Sequence, residues 1–139
     1  MEKNNTLYRA TGILNYSGIN RLVVNIEQDL ANYYRSLIPK WIPTNRPTYK
    51  AHITVVREHK ETIEPAYYSA FWGCYEGEEI EFYYRPIIRL DHIYFWISCF
   101  SIRLEEIRRE MGMYVDSRYE IPPPPFKRTF HVTIANRKV

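Results

Sequence analysis

The sequence predicts an α+β fold, on three observations. Apolar, β-branched and aromatic runs of strand length recur along the chain, bounded by Gly, Pro, Asn and Asp. Two other segments, one in each half, carry their apolar residues at helical spacing. Two of the strand-type runs, "KAHITVVRE" at 50–58 and "TFHVTIANR" at 129–137, also share one grammar: His-x-Thr inside an apolar frame. At 139 residues the chain makes one domain, or two very small lobes sharing a core.

"TLYRATGILNY" (6–16) is rich in β-formers and runs into the turn signal Ser17-Gly18, so it predicts a strand. "RLVVNI" (21–26) is a second short strand. From Asn25 the period changes. Leu30, Tyr33, Tyr34, Leu37 and Ile38 fall at i, i+3, i+4, i+7 and i+8, one face of an amphipathic helix that Pro39 stops. A loop with two Pro residues (40–50, with Trp41 and Tyr49) leads into the first His-x-Thr strand. "ETIEPAYYSAFWG" (61–73) predicts a short helix closed by Gly73. "EIEFYYRPIIRLD" (79–91) is a strand in which Pro86 marks an edge or a bulge. "HIYFWISCF" (92–100) is a strongly apolar strand. "SIRLEEIRREMGM" (101–113) predicts a helix with Ile102, Ile107 and Met111 inward, its charges outward and Gly112 at its end. The stiff "IPPPPF" (121–126) is loop or polyproline II, and the second His-x-Thr strand follows it.

Composition narrows the function classes. A chain 45% hydrophobic and 25% charged is that of an ordinary globular protein. A net charge of +3 favours phosphate-bearing ligands without marking a dedicated nucleic-acid clamp. The 13 tyrosines suit half-buried surfaces and base-stacking grooves equally. Cys74 and Cys99 form no close pair and no metal-type spacing, which fits a reducing cytosol. No apolar leader opens the chain and no run approaches a membrane span, so a cytoplasmic protein without membrane contact is expected. No H-E-x-x-H, D-x-D, Gly-rich phosphate loop or G-x-S-x-G occurs. Neither metal nor cofactor is called for, and nothing points to an obligate protein partner.

Alternate residues of a strand share a face. In the first motif strand Ala51, Ile53 and Val55 point to a core, and Lys50, His52, Thr54 and Val56 point away. In the second, Phe130, Val132 and Ile134 take the core side, and Thr129, His131, Thr133 and Arg137 the other. Each strand thus offers His and Thr on one surface, about 6.5–7 Å apart. If the strands converge, two imidazoles and two hydroxyls meet. Histidine titrates near neutrality, so one imidazole can take a proton while the other gives one. Phosphodiester cleavage needs both acts, and Thr hydroxyls supply neutral donors to phosphoryl oxygens as charge develops.

"AHITVVR" and "FHVTIANR" resemble the paired hydrophobic-His-x-Thr-hydrophobic motifs of the 2H phosphoesterase superfamily. Its members include RNA-ligase-like cyclic phosphodiesterases and phage anti-CBASS nucleases that destroy cyclic oligonucleotide alarm signals. The resemblance implies a bilobal fold, with two small β-rich lobes, outer helices and a central cleft. It implies His52 and His131 as the acid–base pair, with Thr54 and Thr133 binding phosphate. It also implies a metal-independent phosphodiesterase acting on a nucleotide or oligonucleotide: a cyclic oligonucleotide, a 2′–5′ linkage or a 2′,3′-cyclic phosphate. The cyclic oligonucleotide would place the protein in phage or viral counter-defence, in the host cytoplasm. The alternative is an RNA- or nucleotide-binding module with no turnover.

Further substrate-binding candidates follow from position. Arg137 shares parity with His131 and Thr133 and can reach a second phosphate, as can Lys127. Trp96 and Tyr94 share the face opposite Ile93, Phe95 and Ile97. Tyr8 has Ala10 and Gly12 beside it on its strand face, which leaves room for a ring, and Tyr49 sits in the loop entering the first motif. His59 and His92 lack the pattern and are placed at a surface loop and a strand start.

Overall fold

The computed structural model describes residues 6–17, 21–57, 73–117 and 120–138. Along the chain run β1 (Tyr8–Tyr16), β2 (Leu22–Asn25), α1 (Gln28–Ser36), β3 (Thr44–Asn45), β4 (His52–Val56), β5 (Glu79–Asp91), β6 (Tyr94–Phe100), α2 (Ile102–Glu110) and β7 (Phe130–Arg137). The helix expected over 61–73 lies outside the described residues but for Gly73, and His59 lies outside them too. The class is α+β. The sheet order is β3-β7-β4-β2-β1-β5-β6, and β6 pairs back onto β7, so six strands close into a barrel with β3 added beside β7.

The order hides a duplication. β1 pairs β2 and β2 pairs β4, all antiparallel, with α1 between β2 and β4. β5 pairs β6 and β6 pairs β7, all antiparallel, with α2 between β6 and β7. Each half is a ββαβ unit whose last strand carries the His-x-Thr motif. The halves join through β1–β5 and β4–β7.

The two halves also share an irregularity. Against β2, Val23 faces Thr54 and Leu22 faces Val56, which leaves Val55 as an extra residue. Against β6, Trp96 faces Thr133 and Phe95 faces Ala135, which leaves Ile134 as an extra residue. Each motif strand therefore bulges at the residue after its Thr. A bulge adds one residue and increases the local twist. Strict alternation fails there: Val55 and Val56 are both buried, and so are Ile134 and Ala135. This corrects two expectations, that Val56 faces the site and that Arg137 keeps the parity of His131. Past the bulge Asn136 faces Tyr94, and it takes the place expected of Arg137.

Leu14, Val24, Ile53, Val132 and Ile97 line the core face, all with no exposure. On β1, Gly12 permits close approach: a Cβ there would come within 2.5 Å of Val24 Cγ1 and 2.6 Å of the Asn25 carbonyl oxygen. The room expected beside Tyr8 is therefore filled by β2. Pro86 falls within a register shift between Tyr84 and Ile88, the bulge that its missing N–H favours. His92 adopts φ +62° in the tight turn between β5 and β6, rather than starting a strand.

The helices depart from their expected faces. On α1, Ala31 and Tyr34 are buried, as is Ile38 just beyond it, while Tyr33 and Leu37 are mostly exposed. On α2, Leu104 and Ile107 are buried together with Met111, but Ile102 is exposed and Glu105 and Arg108 are buried. Ser101 caps α2, its side chain accepting from Leu104 N–H at 3.3 Å. The buried charges have work to do. Glu105 accepts from the backbone N–H groups of Lys127 and Arg128, at 2.9 and 3.2 Å, where the chain enters β7. Arg108 donates to the Val55 carbonyl at the end of β4, and to the Tyr114 carbonyl, both at 2.7 Å. One helix thus grips both motif strands. No helix among the described residues is long and apolar enough to cross a membrane.

Candidate active site

The motif strands are neighbours. β4 and β7 run antiparallel with Ile53 opposite Val132, both pointing into the core. Continuing this register by one residue each way sets His52 beside Thr133 and Thr54 beside His131, on the face away from the core. Each histidine therefore stands across from the other motif's threonine. The two histidines form a diagonal pair, and such pairs lie about 7–8 Å apart. A phosphodiester fits between rings so placed, with a hydrogen bond of about 3 Å on either side.

Two rows of side chains cross this face. One runs Trp96, Thr133, His52, Asn25, Ile13. The other runs Ser98, His131, Thr54, Val23, Asn15.

His52 is held at both ring nitrogens. Nδ1 lies 2.7 Å from the Lys50 carbonyl oxygen, and Nε2 lies 3.0 Å from a guanidinium nitrogen of Arg21. A carbonyl only accepts and a guanidinium only donates, so Nδ1 carries the proton and Nε2 presents its lone pair. Arg21 also lies over the Tyr49 ring, 5.4 Å from its centroid. A cavity of about 160 Å³ opens here, lined by Asn15, Ser17, Arg21, Asn25, Tyr49 and His52.

His131 sits edge-on to Trp96, with ring centroids 5.7 Å apart. Its pKa is lowered from the ordinary imidazole value, first by desolvation, then by the charges of Arg57, His52 and Arg128. The residue nevertheless stays open to solvent. Both facts fit a ring on the floor of a wide depression walled by protein. Its response to the charge of His52 also places the two imidazoles within electrostatic reach. Trp96 in turn carries Arg89 over its ring at 5.7 Å. Arg89 and Arg85 both pair with Glu120, at 3.5 and 3.0 Å, and Ser98 Oγ donates to the same carboxylate at 3.1 Å.

Of the residues chosen from sequence, His52, Thr54, His131, Thr133, Tyr49 and Trp96 come together. Three do not. Tyr8 shares the face of Leu14 and packs edge-on against Tyr84, centroids 5.7 Å apart, in a ring cluster with Tyr34 of α1. Lys127 is tied by its backbone to Glu105 of α2. Arg137 is exposed at the far end of β7, where it pairs with Thr44. Sequence reasoning missed Arg21, Arg57, Arg89 and Arg128. Arg57 stood within the quoted motif "AHITVVR", three residues past Thr54, the offset that separates Asn136 from Thr133. The partners of the others are distant in sequence.

A larger cavity, about 700 Å³, lies elsewhere, lined by Tyr83, Ile102, Arg103 and Phe126. It holds no pair of groups fit for proton transfer at neutral pH. Among the described residues no three of His, Cys, Asp and Glu cluster as a metal site would require. Compared with known proteins, the chain matches no family model, no curated protein and no solved structure.

Proposed function

We propose that the protein is a phosphodiesterase that uses two histidines as general base and general acid. The observation that supports it most is the cross-pairing of the motif strands, which sets two imidazoles diagonally about a gap of phosphate size. His52, its Nε2 lone pair presented and its Nδ1–H anchored, is the base that takes the proton from the attacking hydroxyl or water. His131 is the acid that protonates the departing oxygen. Thr54 and Thr133, each across from the other motif's histidine, donate to the phosphoryl oxygens, and their bonds strengthen as charge builds in the transition state. Arg57 and Arg128, whose charges already act on His131, attract the anionic ligand.

The bilobal 2H phosphoesterase-like arrangement belongs to the same reading, each ββαβ unit counting as one lobe. The substrate is a small nucleotide phosphodiester: a cyclic oligonucleotide signal, a 2′–5′ linkage or a 2′,3′-cyclic phosphate. The first of these would make the protein a counter-defence enzyme.

His131 favours its neutral form in the free protein, so an acid role requires that the ligand restore its proton. A bound phosphodiester anion does so. The descending limb of the pH profile should therefore lie at higher pH for kcat than for kcat/KM, because the former reports the complex and the latter the free enzyme. The test is a panel of the three substrate types assayed with excess chelator. Turnover of at least one is expected. Failure on all three, or turnover that chelator removes and a divalent ion restores, sinks the reading.

A further inference from the structure

Each half of the site repeats one constellation: a motif histidine, an aromatic ring beside it and an arginine over that ring. In the first half these are His52, Tyr49 and Arg21; in the second, His131, Trp96 and Arg89. From this repetition we infer that the ligand carries a nucleobase on both sides of the phosphodiester, and that only the base on the His52 side is read for identity. The inference rests on the phosphodiesterase reading above and narrows its substrate class to dinucleotide units, linear or cyclic, over a mononucleoside 2′,3′-cyclic phosphate.

Both rings are held in place before any ligand arrives. Arg21 is anchored on His52 and Arg89 on Glu120, so each cation fixes the ring beneath it. Tyr49 is 66% exposed and Trp96 is partly exposed, so each ring has surface left for a base. The flanks differ in what surrounds the ring. Beside Tyr49 the small cavity presents the amides of Asn15 and Asn25 and the hydroxyl of Ser17. Amides offer a donor and an acceptor together, the pattern that reads a base edge. At about 160 Å³ this cavity is below the roughly 300 Å³ at which pockets accept drug-sized ligands, so it suits one ring system. Around Trp96, Arg85, Arg89 and Ser98 are turned to Glu120. That flank offers a stacking plane, which accepts any base because every base has a π-face.

The test is calorimetric titration of the full chain carrying His131→Asn, which keeps the His52 flank intact and removes turnover from the measurement. The probes are the dinucleoside monophosphates ApA, ApU, UpA and UpU, with AMP and UMP alone. Dinucleotides should bind at least about tenfold more tightly than mononucleotides. The four should separate by the base at one end only. Adding Trp96→Ala should weaken all four by about 5- to 150-fold, the range of a lost base stack, and Trp96→Phe should recover most of it. Adding Asn25→Ala should level the four against one another. Equal affinity for mononucleotides and dinucleotides, or a Trp96→Ala protein that binds as before, overturns the inference. An active enzyme with that flat binding profile leaves the phosphodiesterase reading standing. Ordered binding in a protein that turns over nothing has the opposite meaning.

Discussion

In the half that ends in β4, His52 is locked: one nitrogen on its own chain's carbonyl, the other under Arg21. In the half that ends in β7, His131 is placed by its strand and by the edge of Trp96, and its protonation is governed by the charges around it. The two halves share strand order, helix position, bulge and motif, so the contrast is confined to how each imidazole is held. A fixed tautomer suits a group that must begin neutral. An imidazole whose charge answers to its surroundings suits a group that must become charged when an anion arrives. Duplication supplies two like groups, and unlike neighbours divide their labour.

That comparison can be broken most sharply at the histidines. His52→Ala and His131→Ala should each reduce turnover by about 10²- to 10⁴-fold with the fold retained, since both side chains leave the core face free. Near-wild-type rates in either folded variant would mean that the halves do not act as base and acid. Thr54→Val and Thr133→Val keep shape and strand preference while removing a donor. Each should lower kcat by about 10²-fold and leave the pH limbs where they were, which steady-state profiles will show. A shift of a limb instead would mean that the hydroxyl serves the facing histidine.

Arg21→Leu tests the lock itself. Losing a charge-assisted bond to Nε2 should cost about tenfold to a hundredfold in kcat/KM, and the matching change at Arg89 should cost less. Equal losses would erase the asymmetry. The smallest effect concerns stability. His131 has its folded pKa lowered, so the unfolded chain binds its proton more readily. Stability should therefore rise with pH from that lowered value up to about 6.5, and be lost on acidification through the same window. Thermal melts across this range should show the slope, and His131→Asn should flatten part of it.

Period-two alternation was enough to put His52, Thr54, His131 and Thr133 on the face away from the core. It was not enough past either Thr, because an extra residue inside "TVV" or "TIA" leaves no mark in an apolar run. Arg137 was therefore favoured where Asn136 stands. Tyr8 was misplaced because parity within one strand cannot show which face a distant strand will share. The arginines were illegible for the same reason: Arg21 meets His52 across 31 residues of chain, and nothing local announces it. On α2, Glu105 and Arg108 read as solvated charges, yet they are buried because backbone groups of β4 and of the approach to β7 need partners.

The joining of two like units also governs what happens when the chain is damaged. Alone, either three-stranded unit would leave β1 and β4, or β5 and β7, with rows of unsatisfied N–H and C=O groups, the surface on which foreign strands add and aggregates grow. In the intact chain these rows are spent on each other, β1 against β5 and β4 against β7. Each half is the other's cover, tethered at the high effective concentration that a single polypeptide provides. A substitution that loosens one half therefore bares the flanks of the other, so harm that begins far from the histidines would surface as self-association before it surfaced as lost catalysis.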